Sequence, residues 1–329
     1  MDLNVLIQSV NPSPWKVLIP LYFYFTGLSA GSFILSSLST VFGMKKFKPL
    51  ALPSAIAAIV LLVLAPTTLI LDLGQPLRFL NVLNPANFNA TSPISYGSWL
   101  LTLYPIATLI YIWIMVKPEA AVTGPSAGQA VRETAEAADG VIASRRDRNL
   151  KIMGVITIPL ALSVHAYTGF VFGVVKAKAL WNTALMPGYF LTSAILSGIG
   201  LLVIVYLILS ARKKEKPDPQ LLKSLANMMI GVIVLDLFLV ISMWLVMGMG
   251  TEAARLAINL ELHDPLYLFG EIVAGMILPL LILLQPRLRS RPGWLAAVAV
   301  LVLFGVFVMR YTLVFTGIEA STLGTLMFH

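Results

Sequence analysis

The chain has 329 residues, 58% of them hydrophobic and 12% charged, with a net charge of +8 and no cysteine. Soluble domains carry about 25% charged residues, so half that density at a mean hydropathy of +0.88 excludes a water-soluble fold and indicates a polytopic membrane protein. Without cysteine there is no cysteine-held iron–sulfur cluster, disulfide or thiol catalysis, and His165, His263 and His329 alone leave too little for bis-histidine haem ligation.

A hydrocarbon core of about 30 Å takes about 20 apolar residues as a helix. In chain order, eight segments qualify: 17–42, 50–73, 98–116, 152–175, 183–210, 225–249, 266–284 and 294–316. The first 14 residues lack the basic start of a signal peptide. Basic residues then sort the connections: 17 of the 23 fall after the first, third, fifth and seventh spans. By the positive-inside rule that side is cytoplasmic and both termini are extracytoplasmic. The basic balance thus reports topology rather than nucleic-acid binding.

The cytoplasmic connections are short and polar, except for 117–150. That stretch, rich in Ala, Gly, Ser and mixed charge, reads as a mobile or partly helical surface segment. The outer connections are less polar. EAARLAINLEL within 250–265 has the character of an interfacial helix or docking surface.

Ionisable side chains within spans are costly and mark function by default. Here they are Asp72, His165, Asp236, Glu271 and Arg310. At a rise of about 1.5 Å per residue, Asp72, His165, Glu271 and Arg310 fall in the outer half and Asp236 near the middle. An acid, a base and a counter-ion at one depth suit proton-coupled chemistry, and a quinone is a natural substrate for it. Plain structural roles are open too: Arg310 as the salt-bridge partner of Glu271, and Asp72 as a cap for the segment starting at Pro76.

Gly27-xxx-Gly31 and Gly169-xxx-Gly173 are spacings that let helices approach closely. Tyr22, Phe23, Tyr24 and Phe25 form an aromatic run expected at the membrane interface, with a ligand contact by Tyr24 as the alternative. LILDLG at 69–74 echoes IVLDLF at 233–238, a weak parallel repeat of two four-span halves.

GLSAGSF at 27–33, LDLGQPLRF at 71–79, SPISYGSW at 92–99, HAYTGFVFG at 165–173 and RYTLVFTG at 310–317 together resemble the NrfD/PsrC family, the membrane subunit of polysulfide reductase-type complexes. Gln75 stands where the family often has Arg, and Tyr96 where it often has Trp. The resemblance implies menaquinone or ubiquinone bound near the outer face. It implies electron exchange with a four-cluster iron–sulfur subunit, which usually joins a molybdenum- or tungsten-pterin catalytic subunit. It also makes Tyr167 the leading partner for a quinone carbonyl. His165 lies about 200° away around the helix and is assigned to proton relay or an interhelix contact. Asp72 and Glu271 would exchange protons with the outer aqueous side, and Asp236 would belong to a transmembrane path.

The expected protein is therefore all-α, with eight transmembrane helices in two four-helix bundles within a prokaryotic cytoplasmic membrane. Residues 1–150 hold helices one to three and the cytoplasmic loop, 151–182 the fourth helix, and 183–329 the second bundle. The quinone-binding candidates are Tyr167, Asp72, Tyr24, His165 and Arg310. The proton-transfer candidates are Asp72, His165, Asp236 and Glu271. No catalytic residue, haem, iron–sulfur cluster or metal ligand is expected. The alternatives are a proton-coupled secondary transporter and an anchor without its own quinone site.

Overall fold

The structure, a computed structural model, describes residues 16–72, 79–117 and 129–328. All regular structure among these residues is helical, and eight helices are long and apolar enough to cross a membrane. We label them α1 (Leu18–Thr40), α2 (Lys48–Asp72), α3 (Pro93–Val116), α4 (Gln129–Gly173), α5 (Met186–Lys213), α6 (Pro219–Gly248), α7 (Leu266–Leu284) and α8 (Pro292–Phe328). A short helix, Glu252–His263, lies between α6 and α7.

Local chemistry sets the boundaries. Asp218 caps α6 by accepting the Gln220 N–H at 2.9 Å, with Pro219 in the first turn, where a missing N–H costs nothing. Thr251 caps the short helix through Ala254 N. α4 begins at Gln129 and runs unbroken across residue 150, so the helical part of the polar connection is continuous with the fourth span. The apolar part of α4 is confined to Ser144–Gly173.

α1 and α5 are the central helices. α1 packs against α2, α4, α5 and α8, and α5 packs against α1, α4, α6 and α8. The most apolar stretch of α1 is 72% buried, against 22% for α3, so α3 shows most of its apolar surface outward. Leu103, Ile106, Leu109 and Trp113 are exposed there, as suits a helix facing lipid. The turn Lys45–Phe47 touches α6, and Arg289 bonds Asn227 of α6 at 3.2 Å. The basic segments after α1 and α7 therefore meet at one end of the molecule, opposite the C-terminal end of α4.

Two features hold the centre. Ser29 and Ser36 of α1 bond the carbonyls of Ala58 and Ala51 on α2, and lie 3.3 Å from the hydroxyls of Tyr104 and Tyr111 on α3. Thr40 adds a 2.6 Å contact with Tyr111. Interhelical bonds of this kind contribute about 0.6 kcal/mol each in a membrane. The other feature is the contact of Gly31 with Gly198. A Cβ on Gly31 would lie 2.1 Å from the Ala194 carbonyl oxygen, and one on Gly198 would lie 2.5 Å from the backbone of Gly31.

The repeat read from sequence does not place its two aspartates alike. Asp72 is the last residue of α2, whereas Asp236 lies well inside α6 and is fully buried.

Gly198→Val is expected to separate α1 from α5 and destabilise the chain by about 1–3 kcal/mol, the usual cost of overpacking. Gly231→Ala has nothing within 4 Å of the new methyl and should not destabilise the chain. Thermal unfolding of both variants in detergent checks the pair.

Candidate functional site

Two polar regions lie toward the C-terminal end of α4. The first is a surface groove of about 330 Å3 lined by Ala90, Thr91, Pro93, Tyr96, Tyr167, Phe170 and Val174. Tyr167 is held there by Gly97: a Cβ on Gly97 would fall 1.9 Å from the Tyr167 ring. Only glycine lets the ring lie flat on α3. Tyr96 donates to the Ala90 carbonyl and packs edge-on against Phe88, which shapes the other wall. The Tyr167 hydroxyl has no hydrogen bond among the described residues. Tyr167 is near enough to Tyr22 to act on it electrostatically, and the buried Tyr22 hydroxyl has no partner among the described residues. Asp72 is half-buried with Oδ1 lacking a partner among the described residues; Gly74 through Arg78 of its motif lie outside them.

The second region is a buried cluster between α4, α5, α6, α7 and α8. Arg310 is 1% exposed. Its Nη2 donates to Ser193 Oγ at 2.7 Å and Phe190 O at 3.2 Å, and its guanidinium lies 3.7 Å from the Phe190 ring centroid, a cation–π contact. His165 Nε2 lies 2.6 Å from Phe190 O and 3.1 Å from Arg310 Nη2. A carbonyl only accepts, so Nε2 carries the proton and donates to Phe190 O. It therefore cannot also accept from Arg310. Arg310 Nε and Nη1 and His165 Nδ1 have no partner among the described residues.

Two carboxyl groups complete the cluster. Tyr189 donates to Glu271 Oε1, and Thr312 lies 3.5 Å from Oε2. Thr192 donates to Asp236 Oδ1 at 2.5 Å, while Oδ2 has no partner among the described residues. Asp236, Glu271 and Ser193 line a cavity with about 10 Å3 open to a water's centre, room for roughly one water.

The structure thus separates the sequence candidates. It brings His165, Arg310, Asp236 and Glu271 together, and puts Tyr167 in the groove. Asp236 sits level with Thr192, six residues into α5 or about 9 Å, and so joins the others rather than lying alone at mid-depth. Arg310 makes no ion pair with Glu271 among the described residues; its bonds run to α5. Tyr24 turns away from Tyr167, donating to Leu303 O on α8 and packing on Phe307. Tyr22 and Phe23 are buried among the helices, with Phe23 against Phe172 and Phe190. No group of three or more metal-ligating side chains occurs among the described residues.

Residues 5–320 match the family described as polysulphide reductase, NrfD. The chain belongs to this family. A selenate reductase subunit of Mesobacillus selenatarsenatis is 31% identical over 322 residues, covering 92% of this chain and 73% of that protein. An Hdr-like menaquinol oxidoreductase integral membrane subunit of Archaeoglobus fulgidus is 29% identical over 328 residues, covering 96% and 73%. A polysulfide reductase chain of Wolinella succinogenes is 28% identical over 326 residues, covering 94% and 96%. The motifs that carry the NrfD resemblance are contacts here. Gly27 packs under His165, Gly97 under Tyr167, and Gly317 under Trp181.

The sequence alone did not single out Tyr189, Thr192, Ser193, Tyr267 or Glu261. Glu261 was the most findable. In EAARLAINLELH it shares a helical face with Ala257 and Ile258, and all three are buried.

Burial, with Asp264 beside it, pushes the Glu261 carboxyl from 4.5 up to about 8. Tyr267 and Glu271 also face it. The folded chain keeps this proton where the unfolded chain loses it, so the stability that Glu261 contributes is full below pH 4.5 and is lost as pH rises to about 8. Glu261→Gln removes the loss. Its thermal midpoint should match the parent's below pH 4.5 and exceed it above pH 8.

Proposed function

We propose that this chain is the quinone-binding integral membrane subunit of a multi-subunit oxidoreductase. The observation that carries this reading is the groove around Tyr167. It is mostly apolar, of a size within the range of small-molecule sites, and presents a phenol seated on glycine with a second buried phenol, Tyr22, behind it. An apolar slot with few directed hydroxyls fits a quinone head group, whose two carbonyl oxygens accept hydrogen bonds. Membership of the NrfD family and relatives named as parts of selenate and polysulfide reductases and as a menaquinol oxidoreductase subunit support it.

In this reading Tyr167 donates to one carbonyl oxygen, and Pro93, Phe170 and Val174 hold the ring and exclude water. When bound, the quinone supplies a two-electron, two-proton couple. This chain's own part is to orient the head group and manage protons. Asp72, at the end of α2, exchanges them with the aqueous phase. His165, Arg310, Asp236 and Glu271 form an inner proton-handling group rather than contacts to the ring. Electrons leave for a four-cluster iron–sulfur subunit at the outer face, next to a molybdenum- or tungsten-pterin catalytic subunit. The quinone is menaquinone or ubiquinone.

The neighbour pattern of α1–α4 and α5–α8 supports two four-helix bundles. The basic connections support placing the opposite end, with both termini and the groove, outside the cytoplasmic membrane of a prokaryote.

Tyr167→Phe should lower quinol-dependent turnover of the purified complex about tenfold, the factor that a lost hydrogen bond of roughly 1.4 kcal/mol gives. Asp72→Asn should lower it as well, with assembly intact in both. Steady-state quinol kinetics decide this, and unchanged rates in the two variants would remove the groove as the site.

A further inference from the structure

The short helix Glu252–His263 carries a carboxyl group that the quinone reading does not use. Glu261 is 2% exposed and its Oε2 has no hydrogen-bond partner among the described residues. A carboxylate that merely decorated an interfacial helix would turn to water. Instead it faces inward against α7, close enough to Tyr267 and Glu271 to act electrostatically on both.

The next buried polar groups are Tyr267 and Glu271, four residues apart on the stretch of α7 that the short helix packs against. Tyr267, buried on α7, accepts from Trp244 Nε1 at 2.8 Å, which leaves one lone pair and its own proton free for relay. Glu271 holds Tyr189 and Thr312. The cavity with room for about one water then separates Glu271 from Asp236, whose Oδ2 has no partner among the described residues. The first stretch of α7, Leu266–Ile277, is a π-helix. Such wide turns are rare and occur often at functional sites, and this one carries both Tyr267 and Glu271.

We propose that Glu261 is the proton-intake residue of a buried loading site formed by Glu271 and Asp236, served from the end of the molecule where the short helix lies. This deepens the proton-handling part of the function proposed above and rests on it. The transfer balances without redox change. Hydronium at the rim reverts to water as an O–H bond forms on the Glu261 carboxylate. That bond breaks as the Tyr267 oxygen takes the proton, while the Tyr267 O–H proton passes to Glu271. A water in the cavity carries the proton on to Asp236 Oδ2 in the same way. Nε and Nη1 of Arg310, without partners among the described residues, are the positive groups that bias the loaded site to release it again.

The test is hydrogen–deuterium exchange of the buried carboxyl groups in the full-length chain, followed by infrared difference spectroscopy after transfer to D2O. Asp236→Asn and Glu271→Gln assign the bands. Glu261→Gln should slow exchange at Asp236 and Glu271 about a hundredfold or more, the low end of what positioned acid–base groups supply, and Glu261→Asp should restore much of it. Should Glu261→Gln not fold, Tyr267→Phe carries the same expectation. Parent-like exchange in Glu261→Gln, or in Tyr267→Phe where that variant stands in, would overturn the proposal. Tyr167→Phe keeps the two readings apart. It should exchange at the parent rate, and if it also kept full quinol turnover, the quinone site would fail while the intake residue stood.

Discussion

The constraint on which this structure depends is a guanidinium at Arg310 buried among membrane-spanning helices. An unpaired charge at such a position costs several kcal/mol, and no carboxylate is bonded to it among the described residues. What holds it is neutral and directional: the Ser193 hydroxyl, the Phe190 carbonyl and the face of the Phe190 ring. All three come from α5. The central position of α5 and its close contact with α1 through Gly31 and Gly198 are therefore tied to the need to bring α8's arginine against α5's polar face. The carboxyl groups of α6 and α7 then gather around the same helix, through Thr192 and Tyr189.

This arrangement divides the molecule's polar chemistry in two. His165 and Tyr167 are two residues apart on α4 and serve different regions. His165 points to α5 and α8; Tyr167 points to α3 and the groove. Gly27 and Gly97 are the spaces into which the two rings fit. A single helix thereby links a surface site suited to a planar ligand with an interior group suited to protons.

Eight spans, the helix after α6 and the close helix contacts at glycine spacings were legible because each is a local matter of apolar length or residue size. The divergence of His165 and Tyr167 followed from helical geometry alone. The start of α4 at Gln129 was hidden, because a polar, Ala-rich stretch has no apolar periodicity to mark a helix. The partners of Arg310 were hidden for another reason. Charge complementarity suggested Glu271, whereas the packing supplies uncharged oxygens on a helix with no acidic residue within its span. Tyr22 looked interfacial in a run of four aromatics, but helical spacing turns Tyr22 and Tyr24 to different neighbours. Asp236 seemed isolated because depth was counted along one helix, and its companions are on others.

The most direct measurement is photolabelling of the intact complex with an azido-quinone, followed by peptide mapping. Label concentrated on segments containing Tyr96 and Tyr167, and displaced by excess quinone, is the expected result. Displaceable label confined to the α5–α8 cluster around Arg310, or absent from this chain altogether, would contradict quinone binding in the groove.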